Sequence, residues 1–314
     1  GGQAQLYLID FAGGGAMTVT GSPLGATEYA TSPDGTRIAC QFRKTDAAVL
    51  EREADEHKQK LGVVSRHVTS VFYKADGVGF LPQEGWHLWV IDAQTGATTQ
   101  LTASERFEEG PPAWSPDGQS LVYTSNRQDD PDFHPDLVDF FIISAQGGAE
   151  RRLATPPGWK IAPSFSPDGQ WISYIAWGEI GEFWRQANLW LVPSNGESEA
   201  RNLTAAYDRH CEPSISGYIR SPMAPLWSAD SRRLYFPVSH HGQEELHTIG
   251  LNGDAPEAVL AAPGIVAAYS WDQRQRRLAY IRRTFTDPGQ IWLYDAATQS
   301  RRQLTTLNQP LLNE

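Results

Sequence analysis

The chain has 314 residues, a formal net charge of −11 and a mean hydropathy of −0.43. That acidic balance, with no basic stripe, argues against nucleic-acid binding, and no apolar run approaches membrane-spanning length. Eleven Trp, eleven Tyr, 28 Gly and 21 Pro, with almost no helical period, point instead to many short strands joined by tight turns.

In chain order, the first element is Leu6-Tyr7-Leu8-Ile9-Asp10, which leads through a Gly-rich turn to a second strand around Val19. Gly13-Gly14-Gly15 precedes no helix, so it reads as a hairpin turn and not as a phosphate cradle. Counterparts of the first strand begin at Leu88, Phe140, Leu189, Leu246 and Ile291. Their partners fall at Leu101, Leu153, Leu203, Val259 and Leu304, thirteen residues on except for fourteen in the Leu189 pair. A register held so tightly predicts a hairpin of fixed size.

A second hairpin alternates with the first. Ser32-Pro33-Asp34-Gly35, Ser115-Pro116-Asp117-Gly118 and Ser166-Pro167-Asp168-Gly169 are intact copies of its turn. Ser228-Ala229-Asp230-Ser231 and Trp271-Asp272-Gln273-Arg274 read as degenerate ones. Pro presets φ, Asp hydrogen-bonds the backbone ahead of it, and Gly supplies the positive φ that returns the chain. One hairpin of each kind makes a four-stranded antiparallel blade, and blades repeated around an axis predict a β-propeller. The expected architecture is all-β: one propeller domain over residues 1–314, with six repeats visible and six or seven blades in the intact ring.

The first repeat, Leu6 to Thr20, is incomplete, because no Ser-Pro-Asp-Gly hairpin accompanies it. The chain also begins Gly1-Gly2, without Met. The expectation is that residue 1 is not the natural start; a ring closed by strands from both termini is the alternative.

An insertion over about residues 43–85 splits the first complete blade. Its first part reads as an amphipathic helix capped by Asp46, with Ala47, Leu50, Ala54, His57 and Leu61 on one face and a Glu56–Lys60 pair on the other. Its second part, Val68 to Phe80, reads as a hairpin turning at Lys74-Ala75-Asp76-Gly77. A solvated decoration and a docking element for another domain or subunit are both open readings, the latter including a homo-oligomer held through the insertion.

Candidate chemistry is sparse. Ser239-His240-His241-Gly242-Gln243, with His210 and His247, offers donors of the kind that some propeller lyases use for a divalent metal. A solvent-exposed loop between a blade's two hairpins is the simpler account. The acidic run Asp129 to Asp136 lacks a Gly-bearing calcium loop and carries two prolines. No metal and no cofactor are therefore expected. Cys40 and Cys211 read as buried free thiols, from which a cytoplasmic location is expected.

Four stretches narrow the reading further. They are Arg66-His67-Val68-Thr69 with Tyr73 to Phe80, the run His87 to Asp92, the loop Tyr207-Asp208-Arg209-His210-Cys211-Glu212-Pro213-Ser214, and the ending Arg302 to Leu312. With the repeats, they resemble the propeller domain of the prolyl oligopeptidase family of serine peptidases, in its acylaminoacyl-peptidase branch. The resemblance covers essentially the whole chain. It implies a C-terminal α/β-hydrolase domain beyond Glu314, so that the propeller partners a hydrolase domain of the same parent chain and gates its access to short peptides. A free-standing TolB-like interaction propeller is the competing reading, and a metal-dependent propeller lyase a third.

Within this chain no Gly-x-Ser-x-Gly occurs, so no nucleophile elbow and no catalytic residue is assigned. The residues proposed for gating or interdomain contact, on aromatic and charged loops, are Phe107, Glu108, Phe133, Phe183, Trp184, Arg185, Tyr218 and Arg220. No nucleic-acid or membrane partner is expected. The chain by itself is accordingly expected to leave acyl-amino-acid anilides uncleaved; turnover that tracks the purified protein would place catalytic groups within residues 1–314.

Overall fold

The computed structural model describes Tyr7–Leu8, Met17–Thr18 and residues 26–178, 180–182, 184–213, 224–261 and 263–307. Two compact units divide the chain, Gly1–Leu153 and Ala154–Glu314. In the first unit β1 (Tyr7–Leu8) pairs with β2 (Met17–Thr18). The next sheet contains β3 (Ala26–Thr31), β4 (Arg37–Arg43), β7 (Trp86–Asp92) and β8 (Thr98–Gln100) in that order. Between β4 and β7 come α1 (Ala47–Glu53), α2 (Glu56–Leu61), β5 (Lys74–Ala75) and β6 (Gly79–Phe80). The following sheet is β9 (Ala113–Trp114), β10 (Ser120–Ser125), β11 (Asp139–Ser144) and β12 (Arg151–Arg152).

The second unit repeats this arrangement three times. Its first sheet is β13 (Lys160–Phe165), β14 (Trp171–Ala176), β15 (Asn188–Pro193) and β16 (Arg201–Asn202). Next come β17 (Leu226–Trp227), β18 (Arg233–His240), β19 (Gln243–Gly250) and β20 (Glu257–Leu260). The last sheet is β21 (Ile265–Trp271), β22 (Arg277–Thr284), β23 (Asp287–Asp295) and β24 (Ser300–Gln303). A single parallel bridge, Glu244 to Ile265, links these final two sheets. The described residues thus hold a leading hairpin and five four-stranded antiparallel blades, as the two alternating hairpins predict.

Each unit buries its apolar side chains between neighbouring blades. In the first, Ala39, Leu88 and Val90 pack with Trp114, Leu121, Tyr123 and Phe141. In the second, Ile175, Leu189 and Leu191 pack with Trp227, Phe236 and Ile249, and Leu246 with Tyr269 and Tyr280. Middle strands such as β4 and β14 are therefore buried on both faces, whereas β22 and β23 of the last sheet stay partly exposed.

The Ser-Pro-Asp-Gly turn is a closed hydrogen-bond unit. In Ser32 to Arg37 the Ser32 hydroxyl donates to Asp34 (2.6 Å) and accepts from the Arg37 amide (2.9 Å). Asp34 in turn accepts from the Thr36 amide (3.0 Å). Ser115, Ser166 and Ser228 repeat the Ser-to-Asp bond at 2.6, 2.5 and 2.6 Å. Gly35, Gly118 and Gly169 take the left-handed conformation at φ 71°, 67° and 73°. Ser231 takes the same place at φ 59° without being Gly.

The fifth turn corrects the sequence alignment by one residue. Asp272, not Trp271, occupies the Ser position: its amide donates to Arg277 O, and the Gln275 amide donates back to Asp272 O, both at 2.8 Å. Gln275 is consequently the left-handed residue, at φ 50°. Trp271 instead aligns with Trp114 and Trp227.

The Leu-Thr signature also has a cause. Leu101, Leu203 and Leu304 donate their amides to Leu88, Leu189 and Ile291, at 2.8 to 2.9 Å. Thr102, Thr204 and Thr305 then accept the amides of those same three strand residues, each at 2.9 Å. The Thr hydroxyl carries the ladder one step past the end of the short outer strand.

The insertion departs from the sequence reading in two ways. The helix is two helices, and Asp55 caps the second by accepting from His57 and Lys58. Asp46 makes no side-chain cap; its carboxylate accepts from the amides of Gln83 (2.9 Å) and Glu84 (2.9 Å), closing the base of the insertion. The ion pair joins Lys58 to Glu51 across the break, in place of the expected Glu56–Lys60 pair. The hairpin forms as expected, with Gly77 at φ 72°.

Two outcomes test this account of the turns. Gly35→Ala, where an added Cβ meets nothing but the φ is left-handed, should destabilise by about 1 kcal/mol in urea unfolding. Asp34 is held down to about 2 by the Ser32 hydroxyl and then by the Thr36 amide and hydroxyl, and Asp117 and Asp230 are lowered by the same Ser contact. A depressed folded-state pKa gives stability that is present above the unfolded carboxylate value and lost as pH falls through the folded one. The melting temperature should therefore fall between about pH 4 and pH 2, less steeply in Asp34→Asn.

Candidate functional site

Strand order sorts every connection to one of two ends of its own blade. The Ser-Pro-Asp-Gly turns and the turns before the outer strands share one end. The connections between second and third strands, and those leading to the next blade, share the other. Phe107, Glu108 and Phe133 lie on connections at this second end in the first unit, and Trp184 and Arg185 in the second. Phe183, Tyr218 and Arg220 lie outside the described residues.

Exposure follows the same division. Phe72, Tyr73 and Phe80 of the insertion, Phe133, Trp159, Trp184 and Phe285 are exposed aromatic rings, all on connections at the second end. Tyr7 and Tyr29, in strands, are the other exposed rings among the described residues.

In the first unit the second end is built around a sealed carboxylate. Glu109 follows Glu108 and is 2% exposed. Its Oε2 lies 2.9 Å from His87 Nδ1 and accepts the Thr102 hydroxyl at 2.6 Å. Its Oε1 faces Arg127 Nη2 at 3.8 Å. Arg127 also pairs with Glu150, donates to the Tyr123 hydroxyl at 3.2 Å and stacks on Phe141 at 4.0 Å. Burial lowers the Arg127 pKa, but Glu150 and the other acidic neighbours outweigh it and the net shift is upward.

Around that core, Phe107 is half-buried beside the Arg106 and Arg127 guanidinium groups (5.3 and 5.9 Å), a packing role. Glu108 stays at the surface with its carboxyl pKa raised, chiefly by desolvation at the base of the insertion, while Arg43 pulls it down. Phe133 is 72% exposed. Of the two adjacent carboxylates, Glu109 carries the internal network.

In the second unit Trp184 and Arg185 share a groove of about 450 Å³ with Gln186, Asn188, Ala205, Ala206, Tyr207 and Asp208. One wall is the β14–β15 connection and the other the segment after β16. Gln186 donates to Asp208 at 2.9 Å, tying the walls together. Trp184 is 70% exposed, and Arg185 pairs with Glu182. Asn188 is fixed by the Thr204 hydroxyl at 3.1 Å.

Behind the groove, Tyr207 OH lies 3.3 Å from His247 Nδ1, and His247 Nε2 lies 2.8 Å from Glu245. His240 Nε2 approaches the same carboxylate oxygen at 3.3 Å. Burial raises the Glu245 pKa, but the bonds to His247 and then His240 reverse that and leave it lowered. Burial also raises Tyr207. An aromatic platform with amides and both charges along an open groove suits an extended, polar-backboned ligand. Among the described residues no group of three or more His, Cys, Asp or Glu is arranged to hold a metal ion. Sequence reasoning passed over Gln186, Asn188 and the lining role of Tyr207 and Asp208, though Tyr207-Asp208 stands in one of the stretches that carried the family resemblance.

The fold defines the class: a β-propeller of four-stranded blades. No protein-family model matches the chain. Over 127 residues, 40% of this chain, it is 32% identical to the uncharacterized peptidase YuxL of Bacillus subtilis, covering 19% of that protein. Dipeptidyl-peptidase 5 of Porphyromonas gingivalis aligns with 92% of the chain at 21% identity, covering 41% of its own length. Among solved structures, Pyrococcus horikoshii acylaminoacyl peptidase matches 98% of this chain with a TM-score of 0.72 at 17% identity, over 42% of that enzyme. TolB of Acinetobacter baumannii matches 96% with a TM-score of 0.57 at 14% identity, over 60% of its chain. The chain thus spans well under half the length of these peptidases, and its propeller has the fold of theirs. These matches support the resemblance to a prolyl oligopeptidase-family propeller.

Glu109→Ala should cost about 3 kcal/mol in chemical unfolding, because it strands buried cationic and polar partners. Glu108→Ala, at the surface, should cost well under half of that.

Proposed function

We propose that this chain is the propeller domain of an acylaminoacyl-peptidase-like serine peptidase and that it restricts a hydrolase domain of the same parent chain to short peptides. The observation that carries this reading is the whole-chain match to acylaminoacyl peptidase at a TM-score of 0.72, over only 42% of that enzyme. A rigid ring excludes folded proteins by size, and the water-poor chamber behind it strengthens the electrostatics of the reacting groups.

In this reading the connections at the second end of the blades meet the hydrolase. Trp184 and Arg185 contact peptide in the groove, while Phe107 and Glu108 serve interdomain packing. The two thiols are buried and free, with Cys40 and Cys211 each pushed up to about 11 by burial, which fits a reducing cytoplasmic setting. No helix among the described residues is long and apolar enough to cross a membrane.

The alternative is a free-standing interaction propeller of the TolB kind, favoured by the exposed aromatic rings and the TolB match. Reading the coding sequence past Glu314 separates the two. A Gly-x-Ser-x-Gly followed in order by Asp and His is expected; a stop codon would overturn the peptidase reading. In the full-length protein, Trp184→Ala should change kcat/KM several-fold for oligopeptides and leave a single-residue acyl anilide unaffected, whereas equal effects on both substrates would remove Trp184 from peptide contact.

A further inference from the structure

The last sheet brings two arginines to one small cavity. Register pairs Arg282 of β22 with Val266, Tyr280 with Trp292, and Arg301 of β24 with Tyr294. Side chains alternate along a strand, so this set shares the face that packs on the preceding blade. Leu260 of β20, with Val266, Tyr280, Arg282, Trp292 and Arg301, lines a cavity of about 30 Å³. That is room for one small ion or one water.

The lining supplies positive charge and no carboxylate. Arg282 Nε is buried without a hydrogen-bond partner, and the guanidinium's one bond is long, from Nη2 to Pro263 O at 3.5 Å. Arg301 Nη1 donates to Ala261 O at 3.2 Å. The carboxylates of the surrounding strands are engaged elsewhere. Glu257 of β20 pairs with Arg233, Asp295 of β23 lies 4.0 Å from Arg277, and Asp287 accepts from the Gly289 amide at 3.0 Å. Burial raises the pKa of Tyr280, and the charges that pull it back are Arg301 and then Arg282. Residues 265–304 carry seven Arg and three Asp, in a chain whose net charge is −11. A cation left uncompensated in a half-buried space is costly. A water would fill the space without meeting the charge.

The same junction lacks a bond that others in the repeat possess. Trp114 and Trp227 each donate an indole N–H to the preceding blade, whereas the buried Trp271 indole nitrogen has no partner among the described residues. We propose that the cavity binds one chloride-sized monovalent anion, held by Arg282 Nε and the Arg301 guanidinium, and that this ion ties β20 and the connection after it to the last blade. Larger oxyanions such as sulfate exceed the space.

The melting temperature of the whole chain in sodium chloride, bromide and gluconate at fixed ionic strength tests this. Chloride and bromide should raise the wild-type value saturably, by roughly 3 °C over gluconate. Arg282→Met should abolish that rise and should melt no lower than wild type in gluconate, because it removes an uncompensated charge. Arg301→Gln should weaken the response. Arg302→Gln, on the opposite face of β24, should leave it intact. In crystals grown with bromide, an anomalous peak is expected between Arg282 and Arg301. Equal melting in chloride and gluconate, a chloride response that survives Arg282→Met, or no bromide in the cavity would overturn the proposal. None of these outcomes depends on whether a hydrolase follows Glu314.

Discussion

A Trp indole that crosses from one blade to the next is the contact on which the repeat depends. Trp114 Nε1 donates to Ala30 O at 2.8 Å, and Trp227 Nε1 donates to Ser164 O at 3.1 Å. In each case the acceptor lies in the first strand of the preceding blade, beside a break in register at Ala26/Tyr29 or Ile161/Ser164. A bulge interrupts the ladder there and bends the strand. Backbone groups near it are available to a neighbour, and the indole supplies a donor with a large apolar body. Trp271 holds the equivalent place by packing alone, against Tyr235 (5.2 Å) and Tyr294 (6.4 Å), and its N–H has no partner among the described residues.

The turn after each Trp adds a second tie. Arg37 donates to Gly118 O at 2.6 Å, the Asp168 amide to the Ser231 hydroxyl at 3.1 Å, and Gln275 to Trp227 O at 2.8 Å. Gln275 also accepts from the Ala229 amide at 2.7 Å. Within each unit, one end of neighbouring blades is thus tied by short turns that bond each other. That leaves the opposite end free of repeat constraints, and there the connections vary in length, from the tight His240–Gln243 hairpin to the long insertion. Within each unit the exposed aromatic rings of the connections lie at that end, and in the second unit the groove does too, where the fold tolerates side chains chosen for something other than blade packing.

The blades were legible in sequence because each one spends the same few residues on the same bonds. The turn Ser, Asp and Gly and the closing Leu-Thr pair are local devices, visible in a window of a dozen residues. Where a device is replaced, legibility fails: Asp272 does the work of Ser, Gln275 adopts the positive φ without being Gly, and the alignment slipped by one. The insertion helix broke at Ala54 and Asp55 for a comparable reason. Asp55 competes for the amides of His57 and Lys58 and starts a new helix, which a periodicity count over Ala47 to Leu61 does not register. The groove was half legible, since Trp184 and Arg185 stand out on one connection. Tyr207 and Asp208 come from another, and no sequence pattern brings the two together.

Glu108 and Glu109 show how adjacent carboxylates come to serve different ends. A buried ion pair is a weak source of net stability, because desolvation consumes much of the attraction. Glu109 nevertheless gathers His87, Thr102 and Arg127, while its backbone oxygen accepts Gln41 Nε2 at 2.6 Å. It sits on the β8–β9 connection, where no extended ladder positions the chain, so the network fixes geometry that strands fix elsewhere. Elsewhere the Thr hydroxyl finds a neutral amide on the residue before the strand's own Leu or Ile: Asn188 and Gln290 accept the Thr204 and Thr305 hydroxyls at 3.1 and 2.9 Å. In the first complete blade His87 holds that place, and the Thr102 hydroxyl donates instead to Glu109 from the following connection. The charged version appears beside the insertion, the one place where a long excursion leaves and re-enters a blade. The carboxylate thereby holds His87 at the start of β7, where the chain returns from the insertion, a task that the neutral amides of the other blades do not have.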